Sequence, residues 1–208
     1  MSAKSESILL VGAGGHAQAC IDVIEAQARF KVAGLIGTAA EVGARVLGYE
    51  VLGSDEDLPA LVAEHRYALV CCGQIKTPDL RIRLFERLEA LNYQLPVIVS
   101  PRAYLSKHAV LGAGTIVMHG AVVNAGALVG RNCIINTQAL IEHGAMIGDH
   151  CHIATAAVVN GEARVGEGTF IGSNAVLRER VGVAERALIG MGEPLRGDWA
   201  AGEARRSR

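Results

Sequence analysis

The sequence lacks the marks of a membrane, secreted or nucleic-acid-binding protein. It has no apolar run near the roughly 18 residues that a membrane span needs, and residues 1–6 are not the apolar stretch of a signal peptide. Net charge is −1, and no concentrated basic stretch precedes the solvated tail expected at 205–208. The five cysteines have no zinc-ribbon spacing, which favours buried thiols in a reducing compartment. We therefore predict a cytoplasmic protein that binds neither nucleic acid nor membrane.

Aromatic residues are also scarce, at 4% of 208 residues, whereas there are 25 glycines. This composition disfavours an aromatic-rich sandwich and suits a fold of small residues and short aliphatics. Half of the residues are apolar, so a substantial core is available.

Residues 1–100 alternate between strand-like and helix-like segments. Apolar runs at 8–11, 32–36, 68–72 and 95–99 predict four strands, and helical spacing within 17–24, 58–62 and 80–91 predicts three helices. Such alternation is typical of a parallel sheet covered by helices. We predict an α/β, Rossmann-like domain over 1–100.

After Pro101 the period changes to six. From Leu105 onward, 15 consecutive blocks of six residues each begin with Leu, Ile or Val, and the fifth position is small in 13 of them. Three blocks make one triangular turn of about 18 residues, in which the leading aliphatics stack in the interior. We predict a left-handed parallel β-helix of hexapeptide repeats over 101–195 and a tail over 196–208. The N-terminal domain is expected to cap one end of the stack.

Histidines are the candidate reactive groups of the repeat. His143 has small residues, Ala125 and Gly161, one turn below and above, which leaves room for a substrate. A neutral imidazole is suited to general-base catalysis of acyl transfer, and Glu142 is the candidate to orient it. For His152 the sequence leaves two predictions open: a position near the acyl group that is transferred, or a position on the surface. A metal site made of His143, His150 and His152 is not predicted, because their spacings do not converge.

The turn between the first strand and the first helix is glycine-rich. Its sequence, GAGGHA at 12–17, places backbone N–H groups and a helix N-terminus where they can bind an anion or a sugar. Gly14, Gly15 and His16 are therefore candidate substrate-binding residues, although His16 could equally cap the helix. The motif lacks the final glycine of a dinucleotide fingerprint.

Four segments together resemble the bacterial sialic acid O-acetyltransferase and nucleotide-amino-sugar N-acetyltransferase family: ILLVGAGGHA at 8–17, INTQALIEHG at 135–144, IGDHCHIA at 147–154 and VNGEARVGEGTFIGS at 159–173. The resemblance implies a homotrimer that binds acetyl-coenzyme A between adjacent β-helices. It assigns His143 as general base, Asn136 and Arg81 to the substrate site, and His152 to the acetyl thioester. It also places Gly172 and Gly190 on coils that flank the coenzyme, and Gly161, the small neighbour of His143, is a further candidate for the coenzyme site.

Three positions depart from the family pattern. Gly144 stands where an acidic residue often follows the base, Ile36-Gly37-Thr38 replaces an acidic pair that binds a nucleobase, and the usual C-terminal Gly-x-Pro-Ala-Lys is missing.

We expect an acetyl-coenzyme A-dependent acetyltransferase that acts on the amino group of a nucleotide-activated sugar in bacterial surface-glycan synthesis. O-acetylation of a sialic or related nonulosonic acid is the alternative; a zinc hydratase and a dinucleotide-sensing scaffold are remoter ones.

Overall fold

The N-terminal part of the chain folds into a five-stranded sheet with helices on both sides. The computed structural model describes residues 6–200. The strand order is β3-β4-β2-β1-β5, and all neighbours are parallel except the edge strand β3. The strands are β1 (Glu6–Val11), β2 (Phe30–Gly37), β3 (Arg45–Val46), β4 (Tyr49–Ser54) and β5 (Tyr67–Val70), and the helices are α1 (Gly15–Gln27), α2 (Leu58–Leu61) and α3 (Asp79–Ala90).

Alternate residues of β1 determine the layering of this domain. Ile8 and Leu10 pack with α1 on one side of the sheet, whereas Leu9 and Val11 pack with α3 on the other.

Three of the four predicted strands and all three predicted helices are present in this domain. The fourth predicted strand, within 95–99, was wrongly assigned to this sheet: Ile98–Val99 pairs with Ile116–Val117 of the repeat region. The strands that sequence reasoning missed are β3 and β4, which form the antiparallel pair at one edge of the sheet.

Gly12 ends β1 in a conformation that a side chain would strain. Its φ is +120°, its N–H donates to the Ile36 carbonyl at 2.7 Å, and a Cβ there would lie 2.6 Å from Cys72 Sγ and 2.9 Å from Cys72 N. The glycine thus allows the carboxyl ends of β1 and β5 to approach each other.

Gly12→Ala is therefore expected to lower the free energy of unfolding by roughly 2 kcal/mol or more, because backbone strain and overpacking each cost about 1–3 kcal/mol. Urea unfolding measures the loss. Gly14→Ala is the control, since a Cβ at Gly14 meets nothing within 4 Å and its φ is −80°. Equal stability of the two variants would contradict the argument.

The rest of the chain is a parallel β-helix of two-residue strands, one every six residues. The strands form three sheets of six, five and six strands, which are the three faces of a triangular stack. Face one contains β7 (Tyr104–Leu105), β10 (Val122–Val123), β13 (Leu140–Ile141), β16 (Val158–Val159), β19 (Val176–Leu177) and β22 (Pro194–Leu195). Face two contains β8 (Val110–Leu111), β11 (Leu128–Val129), β14 (Met146–Ile147), β17 (Arg164–Val165) and β20 (Gly182–Val183). Face three contains β6 (Ile98–Val99), β9 (Ile116–Val117), β12 (Ile134–Ile135), β15 (His152–Ile153), β18 (Phe170–Ile171) and β21 (Leu188–Ile189).

The hexapeptide chemistry accounts for this geometry. The leading aliphatic of each block is the second residue of a strand and points into the core, as Val117, Ile135 and Ile153 do, and the small fifth residue, such as Ala139, is buried beside it. The fourth residue of nearly every block turns the corner with positive φ; six of these residues are glycines, and the other eight carry side chains. The predicted fold class, a Rossmann-like domain followed by a left-handed parallel β-helix, is confirmed.

Two expectations about the ends of the stack were wrong. The N-terminal domain does not cap the stack but covers the side of face three, where Ile98, Ile116 and Ile134 share a core with β1 and α1. The segment after 195 does not begin as a free tail, because Trp199 is 5% exposed and bridges to Val183 at the far end of the core. Residues 205–208 lie outside the described range. Within residues 6–200, no helix has the length and apolar character that crossing a bilayer requires.

Candidate functional site

A cavity of about 480 Å³ opens at the carboxyl edge of the N-terminal sheet. The glycine-rich turn forms one wall and the ends of β2 and β4 form another; its lining includes Gly12, Ala13, Gly14, Gly37, Thr38, Glu41, Asp55, Cys72, Leu80 and Arg83. Ligands of open α/β sheets bind at this edge. The position of the cavity thus agrees with the prediction for the turn.

The start of α1 is free to meet a ligand. Gly14 is the N-cap and provides no side-chain cap, the first turn carries no acidic residue, and a Cβ on Gly14 or Gly15 would meet nothing within 4 Å. The exposed N–H groups and the helix dipole favour a negatively charged group such as a phosphate.

A carboxylate that the sequence analysis missed lies across the cavity. Glu41 follows β2 by four residues and accepts hydrogen bonds from the N–H and the hydroxyl of Thr38, both at 2.8 Å. The bond from the Thr38 backbone, and then that from its hydroxyl, hold the pKa of Glu41 below its usual value. The chain thus lacks the acidic pair directly after β2 but supplies an ionised group nearby. The sequence signal that could have identified Glu41 is the Thr-x-x-Glu spacing of a capping box, Thr38 to Glu41.

His152 lies where the N-terminal domain meets the β-helix. On face three its strand pairs in register with Ile134 on one side and Phe170 on the other. The imidazole is 7% exposed and its ring centroid is 5.1 Å from that of Phe170. Asn136, the other polar residue predicted here, donates from Nδ2 to His152 Nε2 at 3.0 Å.

The hydrogen bonds of His152 define its tautomer. Nδ1 lies 2.7 Å from the main-chain carbonyl oxygen of Gln74, which can only accept, so Nδ1 carries the hydrogen. Burial, opposed by this hydrogen bond, lowers the pKa of His152 to about 4. At neutral pH the ring is therefore uncharged and Nε2 is an acceptor.

This lowered pKa makes stability depend on pH. Between pH 6.5 and about 4, the unfolded chain takes up a proton at His152 that the folded protein does not, so the free energy of unfolding should fall as pH falls through that window. His152→Gln should remove this part of the slope and run parallel to the wild type above pH 6.5. Urea unfolding at a series of pH values measures this dependence. If the free energies of unfolding of the wild type and His152→Gln ran parallel below pH 6.5 as well, the prediction would be wrong.

Two buried polar atoms beside His152 make no hydrogen bond to any described residue. They are Nε2 of His16 and Oε1 of Gln74. The His16 ring centroid is 6.4 Å from that of His152, and the Gln74 side chain is anchored by its Nε2, which donates to the Gly168 carbonyl at 3.0 Å. Buried polar atoms normally have partners. The seam between the N-terminal domain and the β-helix, lined by His16, Gln74 and His152, is therefore suited to a polar ligand group.

Arg81 was predicted to bind substrate, but it does not line the cavity. It is fully buried, and its guanidinium donates to the carbonyls of Val70, Cys72 and Asn132 and to Asn132 Oδ1. It connects α3 and β5 to a corner of the β-helix. Its role is to hold the two parts of the chain together, and the cavity contains Arg83 instead.

His143 occupies a different corner of the β-helix, between β13 and β14. It is exposed and borders an open pocket of about 460 Å³ with Asn160, Gly161 and Glu162. The imidazole lies over Gly161, where a Cβ would come within 2.7 Å of Cε1 and 2.8 Å of Nε2. The glycine one coil away therefore provides the space for this ring, as its spacing predicted.

Glu142 does not orient the His143 ring in this chain. Its carboxylate accepts instead from the His143 backbone N–H at 3.1 Å, and no residue of the described chain hydrogen-bonds to the imidazole. The carboxylate of Glu162 is paired with Arg180 at 2.8 Å. Any group that orients the ring must therefore come from outside this set, from substrate or from another copy of the chain.

The other two glycines predicted for the coenzyme site, Gly172 and Gly190, differ in their surroundings. Gly172 is buried, and a Cβ there would lie 2.6 Å from the main chain of Gly190, so close stacking of coils already requires it. Gly190 is exposed with open space around it. Among residues 6–200, no three His, Cys, Asp or Glu side chains are grouped to hold a metal ion.

Comparison with known proteins identifies relatives of both halves. Residues 7–88 match the family described as PglD N-terminal domain. PerB from Caulobacter crescentus, solved in complex with CoA and GDP-perosamine, is 30% identical, with a TM-score of 0.87 over 96% of this chain and 93% of that one. The acetyltransferase domain of PglB from Neisseria gonorrhoeae, in complex with acetyl coenzyme A, is 28% identical, with a TM-score of 0.87 over 96% and 95%.

A further structure of the Caulobacter crescentus enzyme is a mutant of perosamine N-acetyltransferase with a histidine replaced by asparagine. It is 29% identical, with a TM-score of 0.88 over 96% of this chain and 92% of that one. No protein with a curated description matches the sequence. The predicted resemblance to acetyltransferases of nucleotide-linked amino sugars is confirmed, as is the predicted acetyl-coenzyme A-dependent activity at the level of the family.

Proposed function

Because this chain belongs to the family of hexapeptide-repeat acetyltransferases that includes the perosamine N-acetyltransferase of Caulobacter crescentus, we propose that it transfers an acetyl group from acetyl-coenzyme A to the amino group of a nucleotide-linked sugar. The observation that carries the proposal is the combination of two sites: an exposed His143 over Gly161, and a phosphate-compatible cavity at the start of α1.

His143 is the proposed general base. Its imidazole accepts a proton from the acceptor amine as the amine nitrogen attacks the thioester carbonyl, and the proton then goes to the departing thiolate. Binding both substrates beside the ring supplies the proximity that makes a single base sufficient. His152 and Asn136 at the seam, with the unpartnered atoms of His16 and Gln74, provide polar groups that fit an acyl or amide function.

One chain does not bring the base and the substrate cavity together. His143 lies at the corner between faces one and two, whereas the N-terminal domain covers face three, the opposite side of the triangle. A site that uses both is therefore composed from two copies. Face two beside His143 also has an exposed apolar column, Val110, Leu128 and Met146, that a second copy would cover. These features support a homotrimer, in which each cleft combines two chains.

The proposed setting is bacterial surface-glycan synthesis in the cytoplasm. Acetyl-coenzyme A and nucleotide sugars are its proposed substrates, and all five cysteines are unpaired, which agrees with a reducing compartment. O-acetylation of a nonulosonic acid would use the same base on a hydroxyl group and is the alternative acceptor chemistry.

Thiol release from acetyl-coenzyme A, measured against matched acceptors, tests the proposal. The panel contains GDP-, UDP- and CMP-linked sugars, each as an amino sugar and as the corresponding hydroxyl sugar, and a free nonulosonic acid. We expect turnover with an amino sugar and acetylated product by mass spectrometry. Turnover only with a hydroxyl acceptor would mean that the protein is an O-acetyltransferase and not an N-acetyltransferase. Failure to bind acetyl-coenzyme A would refute the proposed acetyltransferase activity.

A further inference from the structure

We propose that Gln74 is a positioning residue for the acyl site, which fixes the tautomer of His152 and through it the orientation of the Asn136 amide. This inference rests on the proposed acetyl transfer. Gln74 belongs to the N-terminal domain, in the segment between β5 and α3, whereas His152 and Asn136 belong to the β-helix.

The three residues form a chain of hydrogen bonds with one direction. The Gln74 carbonyl accepts from His152 Nδ1 at 2.7 Å, and His152 Nε2 accepts from Asn136 Nδ2 at 3.0 Å. The Asn136 Oδ1 in turn accepts from the Thr137 N–H at 2.7 Å. Because a carbonyl cannot donate, the first bond determines the direction of the second.

The consequence is a defined donor at the seam. With hydrogen on Nδ1, His152 cannot donate to a thioester oxygen from Nε2. The Asn136 amide keeps one Nδ2 hydrogen that no described residue accepts, and Asn136 is only partly buried. The amide of Asn136, held by His152, is therefore an available side-chain donor for the carbonyl oxygen on which negative charge develops during transfer.

The side chain of Gln74 holds this arrangement in place. Gln74 is 2% exposed, whereas its neighbours Gly73, Ile75 and Lys76 are exposed. Its Nε2 donates to the Gly168 carbonyl at 3.0 Å, which fastens the segment to the coil next to that of His152. Loss of this anchor would release the carbonyl that selects the tautomer.

Nitrogen-15 NMR of histidine-labelled free protein, combined with kinetics of Gln74→Ala, tests the inference. The wild type should show His152 neutral with hydrogen on Nδ1. Gln74→Ala should show both tautomers and a kcat lowered about 10–100-fold, as for loss of other outer hydrogen-bond partners, with the KM for the nucleotide sugar within about twofold. Lys76→Ala, an exposed position in the same segment, is the matched control and should leave both unchanged.

Hydrogen on Nε2 in the wild type would overturn the inference even if Gln74→Ala failed to fold. So would unchanged tautomer and kcat in Gln74→Ala. A wild type that has the expected tautomer but acetylates no acceptor would instead refute the proposed function, because the NMR result does not depend on turnover.

Discussion

Replacing His143 with asparagine should lower kcat by roughly 10²–10⁴-fold, the usual contribution of a general base. The ring is exposed at a corner of the β-helix and no described residue hydrogen-bonds to it, so its removal leaves no buried partner unsatisfied. Folding and the dissociation constant of acetyl-coenzyme A should therefore stay close to the wild type. Steady-state thiol release and calorimetric titration with the coenzyme measure the two quantities.

His108→Asn is the matched control for this experiment. His108 is an exposed histidine at the corner between β7 and β8, two coils along the same edge of the stack. The control variant should retain wild-type kcat. If both variants were active, or if His143→Asn lost coenzyme binding together with turnover, His143 would not be the base.

Gly161→Ala should be almost as damaging as loss of the histidine, although it adds a single methyl group. The new Cβ would lie 2.7 Å from His143 Cε1, closer than real contacts allow, so the imidazole must move. Displacing a catalytic group by about 1 Å can cost on the order of 10²-fold in rate. Because the ring is at the surface and can swing outward, the melting temperature should change little.

Gly197→Ala provides the control for this substitution. Gly197 lies 36 residues further along the chain, just after the last strand β22, and a Cβ there meets nothing within 4 Å. Wild-type activity of Gly197→Ala beside an impaired Gly161→Ala would assign the effect to the ring. Equal activity of both variants would mean that the position of His143 in this structure is not the one used in catalysis.

Sequence periodicity predicted the β-helix well because each coil repeats the same local interaction. An aliphatic every six residues, with a small residue before each strand, is enough to stack two-residue strands in register. The vertical relation of His143 and Gly161 followed from the same period. The N-terminal sheet was harder, since β3 has only two residues and β4 contains a glycine, and since Ile98–Val99 looks like a sheet strand but pairs with the β-helix.

Long-range side-chain contacts could not be predicted from spacing. Arg81 was expected at a ligand and is instead fully buried among carbonyl groups, which only the docking of α3 on the β-helix determines. Gln74 carries no motif, and its importance arises from a carbonyl that meets His152 from the other half of the chain. Glu41 had a local signal, its capping-box spacing, which was not used.

Mixing two inactive variants tests the central claim, a site composed from two copies, most directly. One variant is His143→Asn; the other is Gly14→Asp, which places a carboxylate at the N-cap of α1, where it stabilises the helix but repels a phosphate. After co-expression, random trimers place both intact partners in about one cleft of four, so about a quarter of wild-type turnover should return. Mixed assemblies, verified by native mass spectrometry, that stay as inactive as their parents would contradict a composite site.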